Sequence, residues 1–310
     1  MLSHLEFHMT TQPLRIGIIG YGEVGRIFAA GLKGGAGWTG AWDLKFEAPA
    51  LAAAALDHAA RAGVTACGSA RELCAQSHLI ISAVTASSTL EVAREAAGFL
   101  RPGTFFLDLN SASPGTKQQA AALVDAAGGR YVEAGVMTSV PPYGIRVPML
   151  LGGAHAAALQ PVLAGLGMSV QVASDRLGVA SATKMCRSIM IKGLEALVIE
   201  SYTTARHYGV EDAMIATLQE TFPGIDWTQQ GAYFFSRVAQ HGQRRAEEMR
   251  EVANTVREAG FEPAMASAIA RKHDWMAAQA RAGHFADLPK APGWQAFADR
   301  LLAARPAAND

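Results

Sequence analysis

Cysteine is scarce in this chain. Cys67, Cys74 and Cys186 are the only three in 310 residues. An odd set without metal-ligand spacing argues against a disulfide framework or a thiolate metal site, and for free thiols in a reducing compartment. An excess of either charge is also missing. Lys+Arg and Asp+Glu are 27 each, so nothing draws the whole molecule toward nucleic acid or an acidic membrane surface, and any bound anion must be held locally. No run of about eighteen apolar residues occurs, and the opening MLSHLEFHMTTQP has no apolar core of signal-peptide length. These absences predict a cytoplasmic protein with no membrane or nucleic-acid partner and no metal, whose residues 1–13 form a disordered leader. What remains is ordinary globular material, 50% hydrophobic and 17% charged, long enough for about two domains.

From Leu14 the residues LRIGII form a strand-length apolar run, followed by GYGEVG and an amphipathic RIFAAGL. The reading is strand, glycine turn, helix. Gly20 turns the chain, Gly22 allows a pyrophosphate to approach the backbone, and Gly25 lets the helix pack on the strand. Glu23 and Val24 open the helix, whose N-terminal N–H groups face the phosphates. A second strand-like run, WTGAWD, ends in Asp43, placed to accept the adenosine ribose hydroxyls and to repel a 2′-phosphate. NAD is therefore expected over NADP, although Lys45 follows two residues on.

Helical and strand-like patterns then alternate through HLIISAV, TFFLDL, YVEAGV, VPMLLGG and MSVQVAS, which implies a parallel sheet covered on both faces. Ligands in such sheets bind beyond the C-terminal strand ends. The residues there are Thr85, Asn110, Ser111, and Met137, Thr138 and Ser139. After Asp175 only helical patterns follow: a long one over Ser181–Tyr208, then VEDAMIATLQE, WTQQGAYFFSRVAQ, GQRRAEEMREVANTVREAG and PAMASAIARKHDWMAAQARAG. The expected organisation is an α/β Rossmann-type domain over 14–177, then an all-α domain over 178–310 entered by a long interdomain helix.

The long helical pattern carries Lys184, Arg187, Ser188 and Lys192 among oily neighbours. On a helix Arg187 and Ser188 fall three and four residues beyond Lys184 and share its face; Lys192 lies about 80° round. Cations near a helix N-terminus are disfavoured by the dipole unless something compensates them. Cys186 reads as a core filler, and His207, His241, His273 and His284 as surface or capping residues. Trp227, Tyr233, Phe234 and Phe235 read as core or interface aromatics.

Gly20–Gly25 with Asp43, DLNSASP at Asp108–Pro114, EAGVMTS at Glu133–Ser139 and GVASATKMCRS at Gly178–Ser188 together resemble the β-hydroxyacid dehydrogenase superfamily. That family includes 6-phosphogluconate and 3-hydroxyisobutyrate dehydrogenases, and the later segments resemble its branch with a C-terminal domain of unknown function. The resemblance implies an NAD-dependent oxidoreductase acting on CH–OH groups, and a homodimer joined through its helices. It implies Lys184 as catalytic residue, and substrate contacts from Asn110, Ser111, Met137–Ser139, Arg187, Ser188 and Lys192. Thr85 would lie with the glycine turn and Asp43 on the cofactor. A lysine whose pKa is lowered by burial and by neighbouring cations such as Arg187 and Lys192 can take a hydroxyl proton, and the same cations suit a small anionic substrate.

The chain departs from the family at Arg187 and Ser188, where asparagines are common, and at Met137–Ser139, where the family has Ser-Gly-Gly. It also departs at Glu247–Glu248, where relatives place Lys-Asp. Ile191 stands where the decarboxylating enzymes have a glutamate, so hydride transfer without decarboxylation is expected. The alternatives are an imine or ketone reductase, or a non-catalytic dinucleotide-sensing protein.

Overall fold

The apolar runs of the first half are the strands of one sheet. In the computed structural model, which describes residues 13–305, they alternate with helices as β1 (Arg15–Ile19), α1 (Glu23–Leu32), β2 (Trp38–Trp42), α2 (Ala52–Ala62), β3 (Thr65–Ala66), α3 (Ala70–Gln76), β4 (Leu79–Ser82), α4 (Thr89–Ala97), β5 (Phe105–Asp108), α5 (Pro114–Ala126), β6 (Arg130–Val136), β7 (Met149–Gly152), α6 (Ala156–Gly165) and β8 (Val170–Ser174). The expected leader lies outside the described residues except for Pro13.

The spatial order is β3-β2-β1-β4-β5-β6-β7-β8. Ile16, Ile18, Ile80, Ile81 and Leu107 are fully buried, as expected of strands covered on both faces, and each such side chain contributes about 1.5–3 kcal/mol through burial. One pairing corrects the expectation of a wholly parallel sheet: β7 runs antiparallel to β6. No α-helix lies between them. A parallel return needs a crossover of a dozen or more residues, usually helical, whereas a direct return pairs antiparallel.

The register matters for function. Ile19 pairs with both Trp42 and Ser82, Ser82 with Asp108, and Asp108 with Glu133. One row of residues thus crosses five strands, and the chain leaves β1, β2, β4 and β5 at the same rim.

The chain divides into two compact units, Met1–Ser181 and Ala182–Asp310. The second is helical: most of α7 (Val179–Tyr208), then α8 (Glu211–Thr221), α9 (Trp227–Glu258), α10 (Ala264–Arg281) and α11 (Trp294–Ala303). Trp227, Phe234 and Phe235 join Tyr202, Trp294 and Phe297 in its core, whereas Tyr233 is exposed.

Two helical patterns of the sequence, divided at Gly242, form the single 32-residue α9. A Cβ on Gly242 would stand 2.8 Å from the His273 carbonyl oxygen on α10. That glycine marks a close approach of two helices and not a break. No described helix is long and apolar enough to cross a membrane.

Candidate functional site

In the first unit the glycine turn closes against β4. Gly20 has φ +94°, and a Cβ there would meet the Ala83 carbonyl oxygen at 2.5 Å; a Cβ on Gly25 would stand 1.8 Å from the Gly20 oxygen. Gly22 is different. Among the described residues, its chain neighbours and its own helix backbone aside, only the Lys45 ammonium lies within 4 Å of its would-be Cβ, at 3.8 Å. Gly22 is also the N-cap of α1 and brings no side-chain cap, so the turn presents open space and an uncapped helix N-terminus together.

Asp43 follows β2. Its Oδ2 accepts from the Tyr21 N–H at 2.6 Å and its Oδ1 from the Lys45 N–H at 2.8 Å. The carboxylate therefore ties the glycine turn to the loop after β2 and keeps lone pairs for further donors. Tyr21 is fully buried, and its hydroxyl lies 3.1 Å from His58 Nδ1. Burial raises the Tyr21 pKa, against the partial opposition of Arg26.

Further along the rim, Thr85 is exposed and its hydroxyl bonds the Ser87 and Ser88 hydroxyls. Asn110 is buried. Its Oδ1 accepts from the Val84 N–H at 2.8 Å and its Nδ2 donates to Ser82 Oγ at 2.9 Å, so its side chain ties the loop after β4 to the loop after β5. Asp108 sets it in place. Its Oδ1 accepts from the Asn110 N–H at 2.8 Å and pairs with the buried Lys117 ammonium at 2.8 Å, while its Oδ2 accepts from Tyr131 Oη at 2.6 Å. Burial, then Asp108, keeps the Tyr131 phenol protonated. Ser111, Met137 and Ser139 are half-buried and Thr138 is exposed.

Glu133, in the row that crosses the sheet, is fully buried. It accepts N–H groups from Gly178 at 2.8 Å, Ala180 at 3.1 Å and Ser181 at 3.4 Å. Negative charge at the start of α7 is the compensation its dipole favours. It explains why the helix begins at Val179, two residues before the sequence pattern.

In the second unit Lys184 is half-buried, Ser188 and Lys192 are buried, and Arg187 is exposed. Lys192 Nζ pairs with Glu248 Oε2 at 2.9 Å and donates to Ser188 Oγ at 3.3 Å. Lys192 is thus no uncompensated cation beside Lys184, which corrects the expected electrostatics. Burial pushes the Glu248 carboxyl up, but Lys192, Lys184 and Arg244 outweigh it and hold the pKa at about 2.

Glu195 and Arg245, both buried, form a second ion pair, with Arg245 Nε 2.8 Å from Glu195 Oε2. Arg237 Nε approaches Glu195 to 3.9 Å and His273 Nε2 to 3.7 Å. His273 is wholly buried, which corrects its reading as a surface residue; α10 turns it inward onto α9. Burial first, then Arg245 and Lys192, lowers its pKa to about 3, so the ring is neutral. Cys186 is exposed and not core.

The sequence reading gave Glu195 and Arg245 no place in a buried pair and took His273 for a surface or capping residue. For Glu195 a signal existed: eleven residues beyond Lys184 is about 20° from it on an ideal helix, so Glu195 continues the face of Lys184, Ser188 and Lys192. No group of acidic, histidine and cysteine side chains among the described residues could hold a metal ion.

A sheet of this order with this glycine turn defines a dinucleotide-binding, dehydrogenase-like fold. The model of the NAD binding domain of 6-phosphogluconate dehydrogenase matches residues 15–173, just over half of the chain, and the chain belongs to that family. Residues 205–276 match a domain of unknown function, DUF1932.

A conserved hypothetical protein of Sinorhizobium meliloti is 36% identical, covering 96% of this chain and 99% of that one, with a TM-score of 0.74. A conserved protein of unknown function, described as structurally similar to 3-hydroxyacid dehydrogenases, is 30% identical over 87% of this chain and 98% of its own, with a TM-score of 0.66. The Mycobacterium tuberculosis 3-hydroxyisobutyrate dehydrogenase, solved with L-serine, covers 94% of this chain and 100% of its own at 19% identity and a TM-score of 0.68; at that identity it shows the fold.

Proposed function

We propose that this protein is an NAD-dependent oxidoreductase that moves a hydride between the nicotinamide and a β-hydroxyacid-like or other small, anionic alcohol, without decarboxylation. The observation that carries the reading is the face of α7 on which Lys184, Ser188 and Lys192 stand with Glu248 of α9 in a chain whose first unit builds a dinucleotide rim. When bound, the nicotinamide gives or receives the hydride. Gly22 and the start of α1 receive the pyrophosphate, and Asp43 the adenosine ribose. Thr85, Asn110, Ser111 and Met137–Ser139 border the reacting end of the dinucleotide.

Lys184 handles the hydroxyl proton, and Arg187 and Ser188 hold the substrate's anionic group. Lys192 acts on that group through Ser188 and Glu248. Decarboxylation would need an acid to protonate an enol. Ile191 brings none, and Glu248, held ionised down to about pH 2, is no proton donor. The exposed apolar residues Met190, Ile191 and Leu197 of α7 suit cover by a second copy of the chain, which light scattering would report as a dimer.

Lys184→Ala tests the reading. It should abolish NADH formation across a panel of 3-hydroxy acids, amino-alcohols and aryl alcohols while leaving NAD affinity unchanged by calorimetry. Turnover retained in the variant would remove the lysine from the mechanism. Tighter binding of NADP than NAD would refute the role given to Asp43. Normal NAD binding with no turnover on any substrate would favour a dinucleotide sensor.

A further inference from the structure

We propose that Asn110 is a positioning residue and not a substrate contact: backed by Asp108, Lys117 and Tyr131, it latches the loop after β4 to the loop after β5 and so sets where the nicotinamide ring rests. The inference rests on the reading of that rim as the seat of the nicotinamide. It changes the part that the family resemblance gives Asn110.

The latch begins where the sheet ends. β4 and β5 pair as far as Ser82 and Asp108, and one more backbone bond follows, from the Leu109 N–H to the Ser82 carbonyl at 3.0 Å. The next link is made by a side chain. Asn110 Oδ1 accepts from the Val84 N–H at 2.8 Å, and because a backbone N–H can only donate, this bond fixes which way the amide faces. Its Nδ2 then donates to Ser82 Oγ at 2.9 Å. Only 3% of Asn110 is exposed, so the amide is given to the two loops and leaves little surface for a ligand.

Asp108 makes the latch stiff. Its Oδ1 takes the Asn110 N–H and the Lys117 ammonium, each at 2.8 Å, and its Oδ2 takes the Tyr131 hydroxyl at 2.6 Å. Lys117 also donates to the Asp108 carbonyl at 3.0 Å. All three residues are at most 1% exposed, and a buried ion pair of this kind adds little stability over apolar residues of the same size. What it adds here is a fixed carboxylate, and with it a fixed place for Asn110.

The latch acts on one part of the rim. Ala83, whose carbonyl closes on the glycine turn, is held by its own bond to the Ile19 carbonyl at 2.8 Å, and Asp43 is held by the Tyr21 and Lys45 N–H groups. The pyrophosphate and adenosine ends therefore do not depend on Asn110. Val84 does, and with it Thr85.

The test needs no substrate. The full chain is titrated with NADH and with ADP-ribose, which lacks the nicotinamide ring; emission from the bound dihydronicotinamide reports the surroundings of that ring whatever the affinity. Wild type should shift the emission to shorter wavelength and lengthen its lifetime. In Asn110→Ala most of that change should vanish and NADH should bind about tenfold more weakly, while ADP-ribose stays within about twofold of wild type. Tyr131→Phe takes a single hydroxyl from Asp108. It should move the emission the same way by less, and it decides the matter if Asn110→Ala does not fold. Emission unmoved in the folded variants, or NADH and ADP-ribose weakened alike, would overturn the proposal and leave the reading of the rim standing. A wild type that binds ADP-ribose but leaves the emission of NADH as in free solution would overturn both.

Discussion

Glu195 and Arg245, fifty positions apart, meet inside the helical unit with both side chains buried. A buried carboxylate left without its guanidinium is far costlier than the pair is worth. Arg245→Met should therefore destabilise the protein by about 3–5 kcal/mol, seen as a lowered midpoint in urea unfolding. The double variant Glu195→Met/Arg245→Met should recover most of that loss. Equal losses in the single and double variants would mean that packing, and not the charge, governs the site.

His273 gives the same region a pH dependence. The native imidazole stays neutral down to about pH 3, against 6.5 for the free group. The unfolded chain therefore binds more protons across that window. The stability this histidine contributes is complete above about pH 6.5 and is lost as the pH falls toward 3, with a slope approaching about 1.4 kcal/mol per pH unit. Chemical unfolding of His273→Leu across this range should be flatter by that slope and little changed at pH 8. Both ring nitrogens lack a hydrogen-bond partner among the described residues, so the leucine forfeits no bond.

Glu133 should matter through the start of α7. Its replacement by alanine leaves the Gly178, Ala180 and Ser181 N–H groups without their acceptor in a buried place. A loss of about 3 kcal/mol is expected in thermal or urea unfolding. Glu133→Gln keeps an acceptor oxygen and should lose less. A Glu133→Ala protein as stable as wild type would show that the helix start is held by something else.

The glycine turn separates folding from cofactor binding. Gly22→Ala puts its methyl into open space, so the melting temperature should stay put while dinucleotide affinity falls about tenfold or more, as calorimetry would show. Gly25→Ala puts its methyl 1.8 Å from the Gly20 oxygen and should destabilise the fold itself. If both variants melted alike, the distinction between the two glycines would be wrong.

Much of this could be read along the chain because it is written in local patterns. The glycine turn is a steric demand of one short segment, and the buried strands show as continuous apolar runs between helical ones. The face of α7 that bears Lys184, Ser188 and Lys192 follows from 3.6 residues per turn. The antiparallel β7 was harder to see, because an apolar run shows burial and not direction. The long α9 was missed because a glycine that admits a neighbouring helix looks like one that ends a helix.

What the sequence by itself determined is which residues share a strand, a turn or a helix face, since these depend on covalent spacing. It thereby set the dinucleotide rim and the lysine face. Only the tertiary structure decided what those faces meet. Periodicity says that α7 has a polar stripe, but not that Glu248 of α9 answers it. It marks Asp43 as an acid after a strand, but not that the Tyr21 and Lys45 N–H groups already bind it. Charges far apart in sequence alter one another only once folding brings them within a few ångströms in a place with little water, and that distance is not written in the spacing of either helix.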